Sequence, residues 1–384
     1  MELRDLQKHV KLLATLDAAA APVVSCYLNV EAGDFGYRKT LDEGVRLLKR
    51  GLSTETLGNF EEALRQIEGF LAAGLLTQTK SVAMFGRGGE RPFFLPLQFG
   101  VPLPNWIAVS ATPCIYHLVD LEDTYACFVV MLATDKCVRI LGVHLGAVIE
   151  DIWNQRSELR LRVGREWTKQ HYENHRRERT HRFVNEQIRL LNHVVAKREY
   201  GHLFLAGNPR VTSQIMKALP HHLAAKLVDV LSTSEYDRTT DLVAATLASF
   251  VEQEEKESLA RVDKLVRGIH THGLAVAGTR ATIEALRRGQ VDVLVMAKAY
   301  EPDLAWVCAA CGAIEIERAR PNACRECSAS QIREVNVKEE MVRVAEQTGS
   351  EIETVRHSDA LMRLGGVGCL LRFLRPESYC AKVA

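Results

Sequence analysis

Two Cys-x-x-Cys pairs, twelve residues apart, constrain this chain more tightly than any other feature of its sequence. The stretch "CAACGAIEIERARPNACREC" places Cys308, Cys311, Cys324 and Cys327 as C-x2-C-x12-C-x2-C. Each pair can offer two thiolates from one tight turn. A short hairpin between the pairs then brings four sulfurs to the corners of a tetrahedron, the geometry that Zn(II) takes. The intervening "GAIEIERARPNA" alternates apolar and charged residues and then carries Arg-Pro-Asn, so it reads as a strand followed by a turn. Two disulfides or a redox pair are the rival readings. The chain opens with "MELRDLQKHVKLL", charged and apolar residues at helical spacing, not with a secretory signal, which favours reduced thiols and a structural Zn2+. Four thiolates fill the shell, so this metal would have no open position for catalysis. The other cysteines (Cys26, Cys114, Cys127, Cys137, Cys369 and Cys380) are scattered, several inside apolar runs that suit a small buried thiol.

Around this ribbon, short apolar runs alternate with helical stretches of 10 to 15 residues, the pattern of layered α/β folds. The 384 residues divide into three such blocks, predicting three α/β domains in tandem. Residues 1–137 open with a helix and the strand "PVVSCYLNV". Helical "DEGVRLLKRGL" and "NFEEALRQIEGFLAAGLL" follow, then strand-like "SVAMFG", "PFFLPLQFG", "CIYHLVDL" and "TYACFVVML". Residues 138–273 begin with the strand pair "CVRILGVHLGAVIED", continue into a long polar helix over about 169–198, then the strand "YGHLFLAGN" and further helices. Residues 274–384 alternate strand and helix around a zinc ribbon at 306–330. No apolar run approaches the ~20 residues of a membrane span, so a cytoplasmic, monomeric protein with no membrane partner is expected.

Net charge is only +1, so a nucleic-acid surface must be a local patch. One exists. From Arg156 to Arg182 there are nine Lys or Arg against four Glu, a local net of +5. Trp167, His171, Tyr172 and His175 are interleaved with the cations and can stack on bases or bond phosphates. A solvated helix face is the bland reading, but the asymmetry in a near-neutral chain favours RNA, with Arg162, Arg165, Trp167, Lys169, Gln170, His171, His175, Arg176, Arg177 and Arg179 as its contacts. His171 and His175 are one helical turn apart, yet no third ligand accompanies them as a metal site. There is no GxxxxGK[ST] phosphate loop, so any GTP would come with a partner.

Two segments carry a family resemblance. "GTRATIEALRRGQVDVLVMAK" and "VAEQTGSEIETVRHSDALMRLGGVGCLLRF" resemble the C-terminal domain of the archaeal and eukaryotic class 1 peptide release factors and Pelota, whose archaeal members carry a zinc ribbon between these halves. "RTHRFVNEQIRLLNHVVAKREYGHLFLAGNPRVTSQI" is similar to their central domain, while the first block is similar in element order. In that family a catalytic Gly-Gly-Gln loop immediately precedes the long central helix. The corresponding residues here are Gly164-Arg165-Glu166-Trp167-Thr168, so Glu166, Trp167 and Thr168 stand in the Gly-Gly-Gln position. Glycines reach φ > 0 and let the backbone approach the tRNA end; Glu and Trp are bulky and poor at φ > 0. The family's Asn-Ile-Lys-Ser and Tyr-x-Cys-x-x-x-Phe decoding patterns are also not visible.

What the resemblance implies is a non-catalytic ribosome-binding factor of the bacterial branch that fills the ribosomal A site during translational hibernation, touching rRNA. It would arrive with a translational GTPase such as EF-Tu. Pelota-like rescue of stalled ribosomes and a peptidyl-tRNA hydrolase built around Gln170 are the alternatives. A second string, "FGRGGERPF" at residues 85–93, spells almost like the catalytic loop. It lies between two strand-like runs with no long helix after it, and reads as a hairpin turn with Arg87 near rRNA.

Overall fold

The computed structural model describes residues 3–18, 21–31, 33–77, 79–89, 91–134, 137–155, 169–198, 200–233, 238–302, 305–316 and 319–373. Their contacts divide the chain into a central unit, from Tyr125 to Gln253, and an end unit built from both termini, Leu3–Thr124 with the chain from Glu254 onward.

In the end unit, helix α1 (Leu3–Thr15) leads to β1 (Val23–Asn29), α2 (Asp34–Gly51), α3 (Thr54–Ala72), β2 (Ser81–Arg87), β3 (Phe93–Phe99), β4 (Trp106–Ser110) and α4 (Tyr116–Thr124). The four strands form an antiparallel sheet of order β3-β2-β1-β4. Its middle strands β1 and β2 are buried on both faces; on one of them Val24, Cys26 and Leu28 of β1 and Val82 and Met84 of β2 point into a core with Phe60, Ala63 and Ile67 of α3. Pro96 sits in the outermost strand β3, where its missing N–H interrupts an edge that could otherwise recruit another chain. The stretch "CIYHLVDL" is helical over Tyr116–Thr124, not strand, because Tyr116, Leu118, Val119 and Leu121 bury one helical face.

"FGRGGERPF" is the β2–β3 hairpin, closed by the pair Arg87 and Phe93. A Cβ on Gly88 would stand 2.5 Å from the Asn59 carbonyl oxygen of α3, so the turn must be bare there. The Gly89 N–H donates to Glu62 Oε2 at 2.9 Å. Arg87 is 4% exposed, donates to the Asp17 carbonyl at 2.9 Å and lies over the Phe93 ring. This corrects the expectation that it meets RNA: its cation is used internally.

The central unit contains β5 (Phe128–Ala133), β6 (Cys137–His144), β7 (Ala147–Gln155), α5 (Lys169–Arg198), β8 (His202–Gly207), α6 (Pro209–Ala218), the short α7 (His221–Ala224) and β9 (Leu227–Ser232). Helix α8 (Thr239–His270) begins here and carries the chain back to the end unit. The sheet order is β7-β6-β5-β8-β9: an antiparallel meander, then two parallel crossovers. Val184, Ile188, Leu191, Val194 and Val195 of α5 recur every three or four residues and pack on one face with Val129, Met131 and Ile140. Leu242, Val243 and Phe250 of α8 cover the other, with Phe128 stacked on Phe250 at 4.8 Å. Because β5 pairs with β6 residue by residue, the boundary expected at 137 falls inside a hairpin, and the cut lies before it at Tyr125. The run "KLVDVL", expected within helices, is strand β9, set beside β8 by pairing that helical spacing does not reveal.

At the C-terminal end of β8, Gly207 has φ 125°, and a Cβ there would lie 2.0 Å from the Ala133 carbonyl oxygen of β5. Asn208 then caps α6 by accepting from the Arg210 N–H at 2.9 Å, with Pro209 in the first turn. Gly207→Ala is expected to destabilise the central unit by about 3 kcal/mol, since it combines backbone strain with a clash against main chain. Gly201→Ala, with open space around it, should be near neutral. Thermal unfolding of the two variants side by side checks this.

The rest of the end unit holds β10 (Ala275–Ala277), α9 (Thr279–Arg287), β11 (Val291–Ala297), β12 (Ala305–Cys308), β13 (Ile314–Ile316), β14 (Ile332–Val335), α10 (Val337–Thr348), β15 (Glu351–Val355), α11 (Asp359–Arg363) and β16 (Val367–Leu371). A mixed sheet runs β10-β16-β11-β15, with β11 parallel to β15. Between those two parallel strands the chain makes an excursion into a separate small sheet, β13-β12-β14, which carries the paired cysteines. The end unit joins both termini through α4, α1 and α10. Asp123 accepts from the Thr354 N–H at 2.8 Å, Tyr116 N–H donates to Glu339 at 3.0 Å, and Gln347 donates to the Ala14 carbonyl at 2.7 Å. The first and third blocks of the sequence therefore group by contact into one unit, each keeping a sheet of its own. Hydrophobic periodicity identifies elements, not which distant elements touch.

Candidate functional site

Helix α5 spans Lys169–Arg198, matching the expected long polar helix. At 1.5 Å per residue it is about 45 Å long. Its second half holds the core stripe from Val184 to Val195; its first half, "KQHYENHRRERTHR", has no comparable apolar spacing. Glu178, Arg179, His181 and Arg182 are exposed. The backbone of this charged first half is thus continuous with the half that packs. At its far end Arg198 and Lys197 form ion pairs with the Glu150 carboxylate of β7 at 3.3 and 3.9 Å.

The sequence-predicted RNA contacts fall into three groups. Arg162, Arg165 and Trp167, with the rest of the degenerate position, Glu166 and Thr168, lie outside the described residues. Lys169, Gln170, His171, His175, Arg176 and Arg177 lie on the α5 backbone, ahead of the core stripe. Arg179 is on the same helix and exposed. The degenerate segment follows β7 and precedes α5 in sequence, the order expected for a loop leading into the long helix. Sequence reasoning passed over Trp153 of β7, which is 67% exposed. The alternation in "AVIEDIWNQ", with Ile152 packed inward and Trp153 facing the opposite way, was the signal that could have found it.

The second candidate is the cysteine cluster. The Sγ atoms of Cys308, Cys311, Cys324 and Cys327 all lie within 4.8 Å of one another. Cys308 to Cys327 and Cys311 to Cys324 are each 3.5 Å apart. A tetrahedral centre with Zn–S bonds of about 2.3 Å separates its sulfurs by about 3.8 Å, within this range. The Cys308 thiol is brought down to about 7, first by the backbone N–H of Cys311 and then by that of Ala310. Cys311 accepts from the Ala313 N–H, yet its thiol is pushed up to about 12 by the neighbouring Cys327, Cys324 and Cys308. Cys327, although it accepts from the Ala329 N–H, is likewise raised. Amides aimed at sulfur favour thiolate, while thiols so close together oppose one another's ionisation. A divalent cation resolves that conflict, so the residues fit a metal of the Zn(II) type. Of the remaining cysteines, Cys26, Cys114 and Cys369 are buried as expected, Cys127 and Cys137 are half-buried, and Cys380 lies outside the described residues. No helix among the described residues is long and apolar enough to cross a membrane.

The sequence is similar to known proteins over nearly all of its length. Residues 113–255 match the family model described as bacterial archaeo-eukaryotic release factor family 10. The peptide chain release factor subunit 1 of Thermococcus sibiricus is 21% identical over 97% of this chain and 98% of its own length. That of Pyrococcus abyssi is 25% identical over 68% of this chain and 69% of its own. Among solved structures, Archaeoglobus fulgidus Pelota is similar with a TM-score of 0.37, at 13% identity over 97% of this chain and 93% of that one. The chain is thus similar over nearly its whole length to archaeal release factor subunit 1, and its middle third matches a release factor family model.

Proposed function

We propose that this chain is a non-catalytic release-factor-like translation factor that binds the ribosome and occupies the A site as a hibernation factor. The observation that carries the reading is the replacement of Gly-Gly-Gln by Glu166-Trp167-Thr168 just ahead of α5, in a chain whose similarity to a release factor runs end to end. Residues with bulky side chains rarely take the φ > 0 backbone that paired glycines supply, and no glutamine stands at the third position of this segment. The basic stretch around that position stays, so affinity for rRNA is kept where hydrolysis is lost. No GxxxxGK[ST] loop occurs, and delivery by a translational GTPase such as EF-Tu is the corresponding expectation. The four cysteines hold a structural Zn2+ in this reading.

The test is a ribosome pull-down from starved and from growing cells, joined to a peptide-release assay. Enrichment on vacant ribosomes of starved cells, with no peptide released, is the expected result. Binding confined to ribosomes stalled on truncated mRNA, followed by subunit splitting, would replace hibernation by Pelota-like rescue. Peptide release that disappears in Gln170→Ala would overturn the non-catalytic assignment. No co-sedimentation with ribosomes at all would remove the ribosomal reading itself.

A further inference from the structure

Inside the end unit, helix α4 and strand β15 meet over one hydroxyl that faces two acids. Thr354 Oγ1 lies 2.8 Å from Asp120 Oδ1 and 2.6 Å from Asp123 Oδ2, and the Thr354 N–H donates to that same Asp123 oxygen at 2.8 Å. A hydroxyl has one hydrogen to give, so threonine can fill only one of these two short contacts. The other needs a proton on a carboxyl. Asp120 is held ionised by Lys298, whose Nζ is 2.7 Å away and also donates to Thr124 at 2.8 Å. The proton therefore belongs on Asp123, which donates to Thr354 Oγ1 while the Thr354 hydroxyl donates to Asp120.

The groups around Asp123 hold it in that form. Glu353 of β15 is 4% exposed and accepts from Ser258 and from Arg261 Nε of α8, the latter at 2.9 Å. Arg261 divides its charge between Glu353 and Glu351, and Glu257 of α8 bears on Glu353 as well. On α4 itself, Tyr116 is the other titratable neighbour besides Asp120. Among the described residues of this seam, Asp120, Asp123, Glu257, Glu351 and Glu353 thus share two cations, Lys298 and Arg261. Burial raises Asp123 above the ordinary carboxylate range and the Glu353 carboxyl adds to the rise, against the pull of the Thr354 bonds. Burial raises Glu353 too, against its bonds to Ser258 and Arg261.

We infer that the α4–β15 seam is a proton-operated latch, which Asp123 enters as a neutral carboxyl and whose hold on β15 loosens when Asp123 ionises. Freed from the seam, Asp123 would lose its proton near the ordinary aspartate value of about 3.9. Between that value and the raised one the closed seam binds one more proton than the open seam. Closure therefore weakens as pH rises and strengthens as pH falls. The latch fastens the first sequence block to the third, whatever the chain binds.

The test is amide hydrogen exchange of the full chain over a pH series, read over residues 116–124 and 351–355 and corrected for the intrinsic exchange rate. In wild type the opening equilibrium should rise about tenfold per pH unit between about pH 5 and 7, the slope of one proton lost. Asp123→Asn keeps the size and the hydrogen bonds of the neutral acid, so its seam should open independently of pH and, at about pH 8, less than wild type does. Glu353→Gln, which removes the neighbouring carboxyl, should keep the slope but end it at lower pH. Carbon-13 NMR of aspartate-labelled wild type gives a reading that needs no variant: the Asp123 carboxyl should titrate far above the ordinary range. Flat opening in wild type, an unchanged slope in Asp123→Asn, or aspartates that all titrate in the ordinary range would overturn the latch.

Discussion

Removing the metal from the four-cysteine site, by a strong chelator or by Cys324→Ser, is expected to unfold the β12–β14 ribbon while the β10-β16-β11-β15 sheet survives. The ribbon's own apolar core is Cys308, Ala313, Cys324 and Ile332, with Trp306 and Ala329 against it. Its strands are only four, three and four residues long. A sheet of that size buries too little to offset its conformational entropy, so it needs a staple. Structural zinc in small finger peptides contributes roughly 10–16 kcal/mol of apparent binding energy, which here would be folding energy of the ribbon. The neighbouring sheet has independent support: β11 pairs in register with β15 and with β16, as Leu294 with Ile352 and with Cys369. Metal analysis should find one zinc per chain in wild type and none in Cys324→Ser. Hydrogen exchange should lose protection over residues 305–335 and keep it over β11, β15 and β16. Unchanged ribbon protection after complete chelation, or a purified chain free of zinc with a protected ribbon, would refute the assignment.

Local elements were largely legible in the sequence because their signals are local. The α5 bounds at Lys169 and Arg198, the Gly88–Gly89 turn and the paired cysteines follow from composition and spacing. Pairing was less visible. β9 joins the central sheet through β8, and its half-exposed, uneven burial gave no alternation to detect. The junction of α4 with β15 rests on Asp120, Asp123 and Lys298, charged residues that sequence patterning assigns to the surface. Arg87 shows the same limit in reverse: a charged residue in a glycine turn reads as exposed until the Asp17 carbonyl and the Phe93 ring are seen around it. The RNA-contact set was chosen on charge density, a property that does not depend on pairing.

Charge reversal in the first half of α5 is the direct test of that charge-density argument. In Arg176→Glu/Arg177→Glu/Arg179→Glu, ribosome affinity near physiological salt is expected to fall by about a thousandfold. Each phosphate contact contributes roughly 0.7–0.9 to the slope of log affinity against log salt, so losing three should flatten the slope by about two to three. The fold should not change, because the stripe that anchors α5 begins at Val184, beyond all three positions. Lys264→Glu/Arg267→Glu, on exposed positions of α8 outside the basic stretch, reverses two cations on a helix and serves as the control. If affinity depended only on net protein charge, this pair would cost two thirds of the effect. If it depends on where the cations lie, it should cost little. A flat salt slope in wild type, or equal losses in the two variants, would show that the local excess of positive charge is a solvated helix face after all.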